Sequence, residues 1–317
     1  MKELHIKVAI STIVLGTWAM GGNHWGSCDD VASIQAIEAA IDNGISAIDT
    51  APVYGNGHAE ELVGTAIKGK RDKVFLATKG GLDIYTKKYE RNLSQSFMEH
   101  DLSQSLKRLE TDYVDLYQCH WPDPRTPVEE TMTALLRFQR EGRIRFIGVS
   151  NFNTRELGEA MLYAPIFSAQ SHYSLLEREV EKDVLPFCSQ NGIAFLSYGS
   201  LGAGMLTGKF RECPRFPSRD ARSFFYRFCR PRLWPKVRKV VDALEDIASS
   251  RGTRPGAVAL SWLLTRPGVT SVIVGARSAE QVLDNITGIP IRMADEEIDV
   301  LDRLTRSLNE GEGESSD

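Results

Sequence analysis

Asp49, Tyr54, Lys79 and His120 are the residues of this 317-residue chain whose types and spacing suit proton chemistry. Tyr54 stands five positions beyond Asp49 in the run IDTAPVYGNGHAEELVG, and Lys79 and His120 each close a short apolar segment further along. An acid near a lysine can hold the ammonium beside a phenol. A cation there lowers the phenol pKa from its reference of about 10, so Tyr54 is expected to donate a proton near neutral pH. Single residues of these types in loops are more often turn or surface residues, so the chemistry requires a fold that brings the four together.

The elements that must position them are legible as apolar runs of strand type alternating with longer amphipathic stretches. Strands are expected at 13–17, 45–49, 74–79, 114–120, 144–150, 167–170, 193–198 and 271–275. Helices are expected at 29–43, 58–68, 92–109, 127–141, 154–162, 178–191, 279–286 and 296–308, with two more inside 234–266 separated near Gly252. Asn43-Gly44, Glu141-Gly142 and Asn191-Gly192 read as helix ends, and Ser278 and Asp295 as helix starts. This alternation without a compositional break argues for one α/β domain over 1–309, a parallel (β/α)8 TIM barrel, followed by an acidic tail at 310–317 expected to fray. A doubly wound sheet is the rival, but no G-x-G-x-x-G follows the first strand. In a barrel the carboxyl ends of all strands share one face. Asp49, Lys79, His120, Ser150, Asn151, Gln170 and Tyr198 would therefore converge there.

Composition bounds the function. With 42% hydrophobic and 25% charged residues the chain can bury a large core, and a net charge of −4 gives no global reason to expect nucleic acid or an anionic membrane. The first residues lack the pattern of a secretory signal, and no apolar run reaches the roughly 18 residues of a membrane span. Five scattered cysteines fit a reducing cytoplasm, and no Cys/His cluster has zinc-ligand spacing, so no metal is expected.

The ordered set of motifs resembles the aldo-keto reductase superfamily. DTAPVYGNGHAEELVG, FLATKGG and DYVDLYQCHWPD carry its catalytic tetrad as Asp49, Tyr54, Lys79 and His120, while GVSNF, AQSHYS, YGSLGAGMLTGKF and IVGARSAEQVLDN look like its cofactor segments. The resemblance implies an NADP(H)-dependent enzyme that reduces aldehydes or ketones, or oxidises the corresponding alcohols or sugars. Tyr54 would be proton donor or acceptor, Lys79 would lower its pKa, Asp49 would orient Lys79, and His120 would bind the carbonyl oxygen. Ser150, Asn151 and Gln170 would hold the carboxamide and Tyr198 would stack on the nicotinamide. Gly199, Ser200, Leu201, Gly204 and Lys209 would meet the pyrophosphate, and Gly275, Arg277, Gln281 and Asn285 the adenosine end. Arg277 points to a 2′-phosphate and hence to NADP. The GARxxxQ form and the YGSLGAGMLTGKF segment look closer to bacterial general-stress or inositol-operon-like branches than to mammalian aldose reductases. A potassium-channel β subunit, a cofactor-binding redox sensor with little turnover, is the alternative on the same fold. An aldolase forming a Schiff base on Lys79 would leave Tyr54 and the cofactor segments unexplained.

Other residues receive plainer readings. Trp18 and Trp121 are expected to line the substrate pocket, with Trp25 equally placed for pocket or loop packing. Cys119 should be a packed thiol, because strand alternation points it away from His120. His24 and His58 read as solvent or helix-start residues and His172 as packing near the mouth. The arginine-rich segment 211–232, with four aromatics in 224–228, is either a surface loop or a flap over cofactor phosphates or an anionic substrate. The carbonyl substrate, its direction of reaction and the oligomeric state are not encoded in these motifs.

Overall fold

The computed structural model describes residues 10–86, 88–287, 289 and 291–309; the tail expected to fray lies outside them. Its strands are β1 (Ile13–Gly16), β2 (Ala47–Asp49), β3 (Phe75–Gly80), β4 (Val114–Cys119), β5 (Ile144–Ser150), β6 (Ser168–His172), β7 (Ala194–Tyr198) and β8 (Val269–Gly275). All pair in parallel with their sequence neighbours, and β1 also pairs with β8, which closes the barrel. The helices are α1 (Asp30–Asp42), α2 (His58–Ala66), α3 (Gln95–Arg108), α4 (Val128–Arg140), α5 (Thr154–Tyr163), α6 (Val184–Asn191), α7 (Ala221–Phe224), α8 (Trp234–Ser250), α9 (Pro255–Leu264), α10 (Ala279–Ile286) and α11 (Asp295–Asn309). Among the described residues no helix is long and apolar enough to cross a membrane.

Local chemistry sets the helix starts. Asp29 accepts from Ala32 N at the head of α1, Asn153 and Glu156 form a reciprocal cap on α5, and Ser278 caps α10. Gly192, at φ 67°, ends α6 in the left-handed conformation that glycine adopts without strain. The helix expected over 178–191 is shorter than that: a 3-10 turn covers Glu179–Glu181, and α6 begins after Asp183. Pro186 explains the break, since its missing N–H is tolerated only in a first turn.

Strand alternation divides the core into two. Val14, Ala47, Ala77, Leu116, Leu196 and Ile273 fill the barrel, with Phe75, Phe146 and Phe167 packed against them from the amino ends of their strands. Leu15, Ile48, Leu76, Tyr117 and Cys119 point outward into the larger core beneath the helices. The inward set continues to Lys79, Gln118 and His120, so polar groups gather at the carboxyl end. Lys79 lies level with Gln118, and Ser150 with Gln170.

Candidate active site

Asp49 ends β2, and a turn carries the chain to Tyr54, whose N–H donates to Ala51 O at 3.1 Å. Two glycines fix that turn. A Cβ at Gly21 would lie 2.5 Å from the Tyr54 carbonyl carbon, and one at Gly55, where φ is +69°, would lie 2.2 Å from Gly21 O. Only glycine at both positions lets the 3-10 turn Trp18–Gly21 rest on the Tyr54 backbone. Trp18 then stacks on the Tyr54 ring, centroids 5.9 Å apart.

Lys79 is fully buried and uses all three ammonium hydrogens. It donates to Asp49 Oδ1 at 2.5 Å, Tyr54 OH at 3.0 Å and Thr50 O at 3.1 Å. Because Lys79 donates to the phenolic oxygen, the phenol's own hydrogen is free to point into the cleft. Asp49 Oδ2 accepts from Gln170 at 2.9 Å and Gln118 at 3.3 Å. His120, the residue after β4, is tied by its N–H to Gly80 O at 2.9 Å, and its ring meets the Tyr54 ring edge-on at 6.0 Å.

The electrostatics correct one expectation. Burial, followed by the negative charge of Asp49, holds the Tyr54 phenol well above its usual range of about 10. Lys79 does not bring it toward neutrality, because Asp49 at 2.5 Å compensates the ammonium and burial penalises the phenolate. Burial also lowers the Lys79 pKa, opposed by Asp49. Burial and the Lys79 charge hold His120 well below 6.5. The site at neutral pH thus presents a protonated phenol and a neutral imidazole.

A cleft of about 870 Å³ opens above these groups. It is lined by Asp49, Tyr54 and His120; by Ser150, Asn151, Gln170, Tyr198, Gly199, Ser200, Leu201, Gly204 and Lys209; by Gly275, Arg277, Gln281 and Asn285; and by Trp18, Trp25 and Trp121. Lys79 alone of the expected site residues sits behind the wall. Several amides are already engaged. Asn151, at φ +62°, donates to His120 O and Ser150 Oγ and accepts from Tyr198 OH at 2.9 Å. Ser200 Oγ donates to Ile273 O, Gln281 Oε1 accepts from Arg277 N, and Asn285 donates to Gly275 O. These bonds rigidify the wall.

The far end of the cleft fits an anionic cofactor. Lys209 is solvent-exposed on the cleft wall with no carboxylate partner among the described residues, and partial desolvation together with Arg222 and Arg277 lowers its pKa. A Cβ at Gly204 would lie 2.7 Å from Lys209 Nζ, so the glycine keeps that cradle open. An uncompensated cation beside exposed backbone suits a diphosphate.

The structure also places residues that sequence reasoning missed. Leu82, Tyr89, Arg91, Arg254 and Asp284 line the cleft. Phe224, Phe225 and Tyr226, from the arginine-rich segment read as a loop or a flap, line it too. Tyr226 and Phe225 reach His172 and Trp18, and His172 stacks on Tyr198 at 5.3 Å, its Nε2 buried without a partner among the described residues. The length of the loop after β3 was the available signal for Arg91. Cys119 is fully buried, its thiol pushed up to about 12 by burial. His24 lines the cleft, while His58 pairs with Asp30 at 2.9 Å. Cys28, Asp30 and His58 have potential ligand atoms within 4.8 Å of one another, a grouping that their sequence spacing concealed. It sits where α1 and α2 begin, and helix amino termini oppose a cation.

Residues 12–306 match the Aldo/keto reductase family. The chain is 43% identical over 294 residues to the aldo-keto reductase YhdN of Bacillus subtilis, covering 91% of this chain and 88% of that protein. It is 33% identical to an NADH-specific methylglyoxal reductase of Escherichia coli, covering 95% and 96%, and 32% identical to a probable voltage-gated potassium channel subunit beta of Oryza sativa, covering 94% of each. Among solved structures, a glycerol dehydrogenase of Gluconobacter oxydans superposes with a TM-score of 0.85 at 36% identity, covering 97% and 94%. An aldo/keto reductase of Klebsiella pneumoniae in complex with NADP and acetate superposes with a TM-score of 0.74 at 32% identity, covering 93% and 92%. The fold, a closed parallel (β/α)8 barrel, is that of a family of oxidoreductases. The chain belongs to the aldo/keto reductase family.

Proposed function

We propose that this protein reduces aldehydes and ketones with NADPH, Tyr54 supplying the proton, and oxidises the corresponding alcohols or sugars at the same site. The observation that carries the reading is the buried Tyr54–Lys79–Asp49 chain, with contacts of 3.0 and 2.5 Å, opening onto the cleft beside His120. A nicotinamide bound along the cleft would supply the hydride. A neutral His120 donates a hydrogen bond to the carbonyl oxygen and fixes its position. Tyr54 gives its proton to that oxygen as negative charge develops, and Lys79, locked by Asp49, stabilises the phenolate that remains. The reverse direction requires the phenolate as base. Lys79 has no free donor or lone pair for a Schiff base, which argues against the aldolase reading.

Lys209 and Arg277 at the far end support NADPH over NADH, a preference also motivated by the NADP-bound Klebsiella structure. The five free cysteines fit a reducing compartment, the cytoplasm. A channel-subunit role is the second reading, motivated by the rice relative. NADPH consumption across aldehydes, ketones and keto-sugars, with NADH in parallel, separates these. Turnover that falls by roughly 100-fold or more in Tyr54→Phe supports the reductase; NADPH binding without turnover of any carbonyl supports the sensor.

A further inference from the structure

Resting on the reductase reading, we propose that Arg91 selects carbonyl substrates that carry an anionic group, a carboxylate or a phosphate, remote from the reacting carbon. The hairpin after β3 presents this arginine from a fixed base. Leu82 and Arg91 pair as an antiparallel bridge, Asp83 N donates to Glu90 O at 2.8 Å, and Asn92 N donates to Gly81 O at 3.0 Å. Gly81 N is in turn held by the buried Asp101 carboxylate at 3.0 Å.

The side chain is oriented as well. Its guanidinium lies 5.1 Å from the Trp121 ring centroid and donates to Pro122 O at 3.3 Å. Trp121 directly follows His120, and both line the cleft that Arg91 also lines, so the charge faces the same space as the group proposed to bind the carbonyl. One hydrogen bond leaves most of the five guanidinium donors for a ligand in the cleft that Arg91 lines.

Its neighbours leave that charge uncompensated. Glu90, the preceding residue, and Asp123, which follows the Pro122 that Arg91 contacts, both pair with Arg125, at 3.2 and 3.4 Å. Among the described residues no carboxylate pairs with Arg91. Of the other cleft arginines, Arg222 pairs with Asp220 at 2.6 Å and Arg254 with Asp284, while Arg277 lies at the far end of the cleft, proposed for the cofactor, against the carbonyls of Trp25 and Ser27. Arg91 is therefore the cation on the Trp121 side of the cleft that an anionic substrate can engage with bidentate geometry.

The test compares kcat/KM with NADPH for two matched pairs: para-carboxybenzaldehyde against para-(hydroxymethyl)benzaldehyde, and glyceraldehyde phosphate against glyceraldehyde. The wild type is expected to favour the anionic member of at least one pair by about tenfold, the lower range for a hydrogen bond to a charged group at an exposed site. Which pair shows it distinguishes carboxylate from phosphate. Arg91→Gln is expected to erase that ratio, chiefly through KM, and Arg91→Lys to restore part of it. No anionic preference in the wild type, or a ratio unmoved in Arg91→Gln while both substrates fall together, overturns the assignment and leaves the reductase reading standing. A wild-type protein that binds NADPH but turns over none of the four, nor any carbonyl of the wider panel, overturns both.

Discussion

Gln170 donates its side-chain amide to Asp49 Oδ2 at 2.9 Å, joining β6 to β2 across the barrel mouth although 121 residues separate the two. The bond holds the acid that holds Lys79, so Gln170 acts on the proton chain as well as lining the cofactor cleft. Gln170→Leu is expected to leave a buried carboxylate with only Gln118 at 3.3 Å on that oxygen. The expected cost is about 1–3 kcal/mol by urea unfolding, with a fall in kcat. A stability loss with kcat untouched would separate Asp49 orientation from catalysis.

The titration behaviour of the site yields an expected pH profile. With Tyr54 held above its usual value by burial and then by Asp49, the proton donor for reduction stays loaded, and kcat/KM should be flat from about pH 7 to 9. The oxidative direction, which needs the phenolate, should rise with pH across the same range. A tyrosine lowered toward neutrality would instead give a falling reductive limb there. His120 adds no limb near 6.5, because burial and Lys79 keep it neutral. Its depressed pKa contributes stability that is complete above 6.5 and is lost as pH falls toward the folded value.

The packing of two loops can be tested without touching a catalytic atom. Gly55→Ala would drive a Cβ to 2.2 Å from Gly21 O at a backbone φ of +69°. Gly69, at φ +72° with nothing within 4 Å, is the matched control for backbone strain alone. Gly69→Ala is expected to cost about 1 kcal/mol and leave kcat in place. Gly55→Ala should cost more than about 2 kcal/mol and lower kcat by displacing the Tyr54 turn. Equal effects of the two would show that the contact between the turns does not position Tyr54.

What the sequence disclosed follows from what is local. Each apolar run ending in Asp49, Lys79, His120, Ser150, Gln170 or Tyr198 is a strand or a strand end in the structure, because inward alternation and a shared carboxyl face are properties of the barrel itself. The conformational break before α6 was also local in origin, since Pro186 was visible in the run. The Tyr54 pKa was not legible: residue types show that Lys79 is near, but burial and the compensating Asp49 decide the sign. Nor was Arg91, whose role depends on Arg125 taking the neighbouring acids. Such effects arise between elements distant in sequence, where spacing carries no signal.

Asp101, on α3, is the second buried acid that bears on the cleft. Its two oxygens accept from Gly81 N and Tyr85 OH, each at 3.0 Å, so it anchors both ends of the segment leading into the Arg91 hairpin. Burial, against those two bonds, with a smaller push from Glu60 and an opposing pull from Arg108, raises its pKa to about 7; Arg108 is itself paired with Glu60 at 2.7 Å. A folded pKa above the unfolded one means that the stabilising contribution is complete at low pH and declines as pH rises through the folded value. The difference between 3.8 and about 7 corresponds to about 4 kcal/mol. Urea unfolding of wild type and Asp101→Asn at about pH 5 and pH 8 isolates this term, since every other titrating group is common to both. Because pH 5 already lies above the unfolded pKa, the wild type should lose about 3 kcal/mol of that amount relative to the variant between the two pH values. Amide exchange at Gly81 should quicken in the variant if the asparagine turns its NH2 toward that backbone N–H. Parallel stability curves would place the Asp101 pKa outside this range. A parallel loss of the preference for anionic aldehydes in Asp101→Asn would tie the anchor to the position of Arg91.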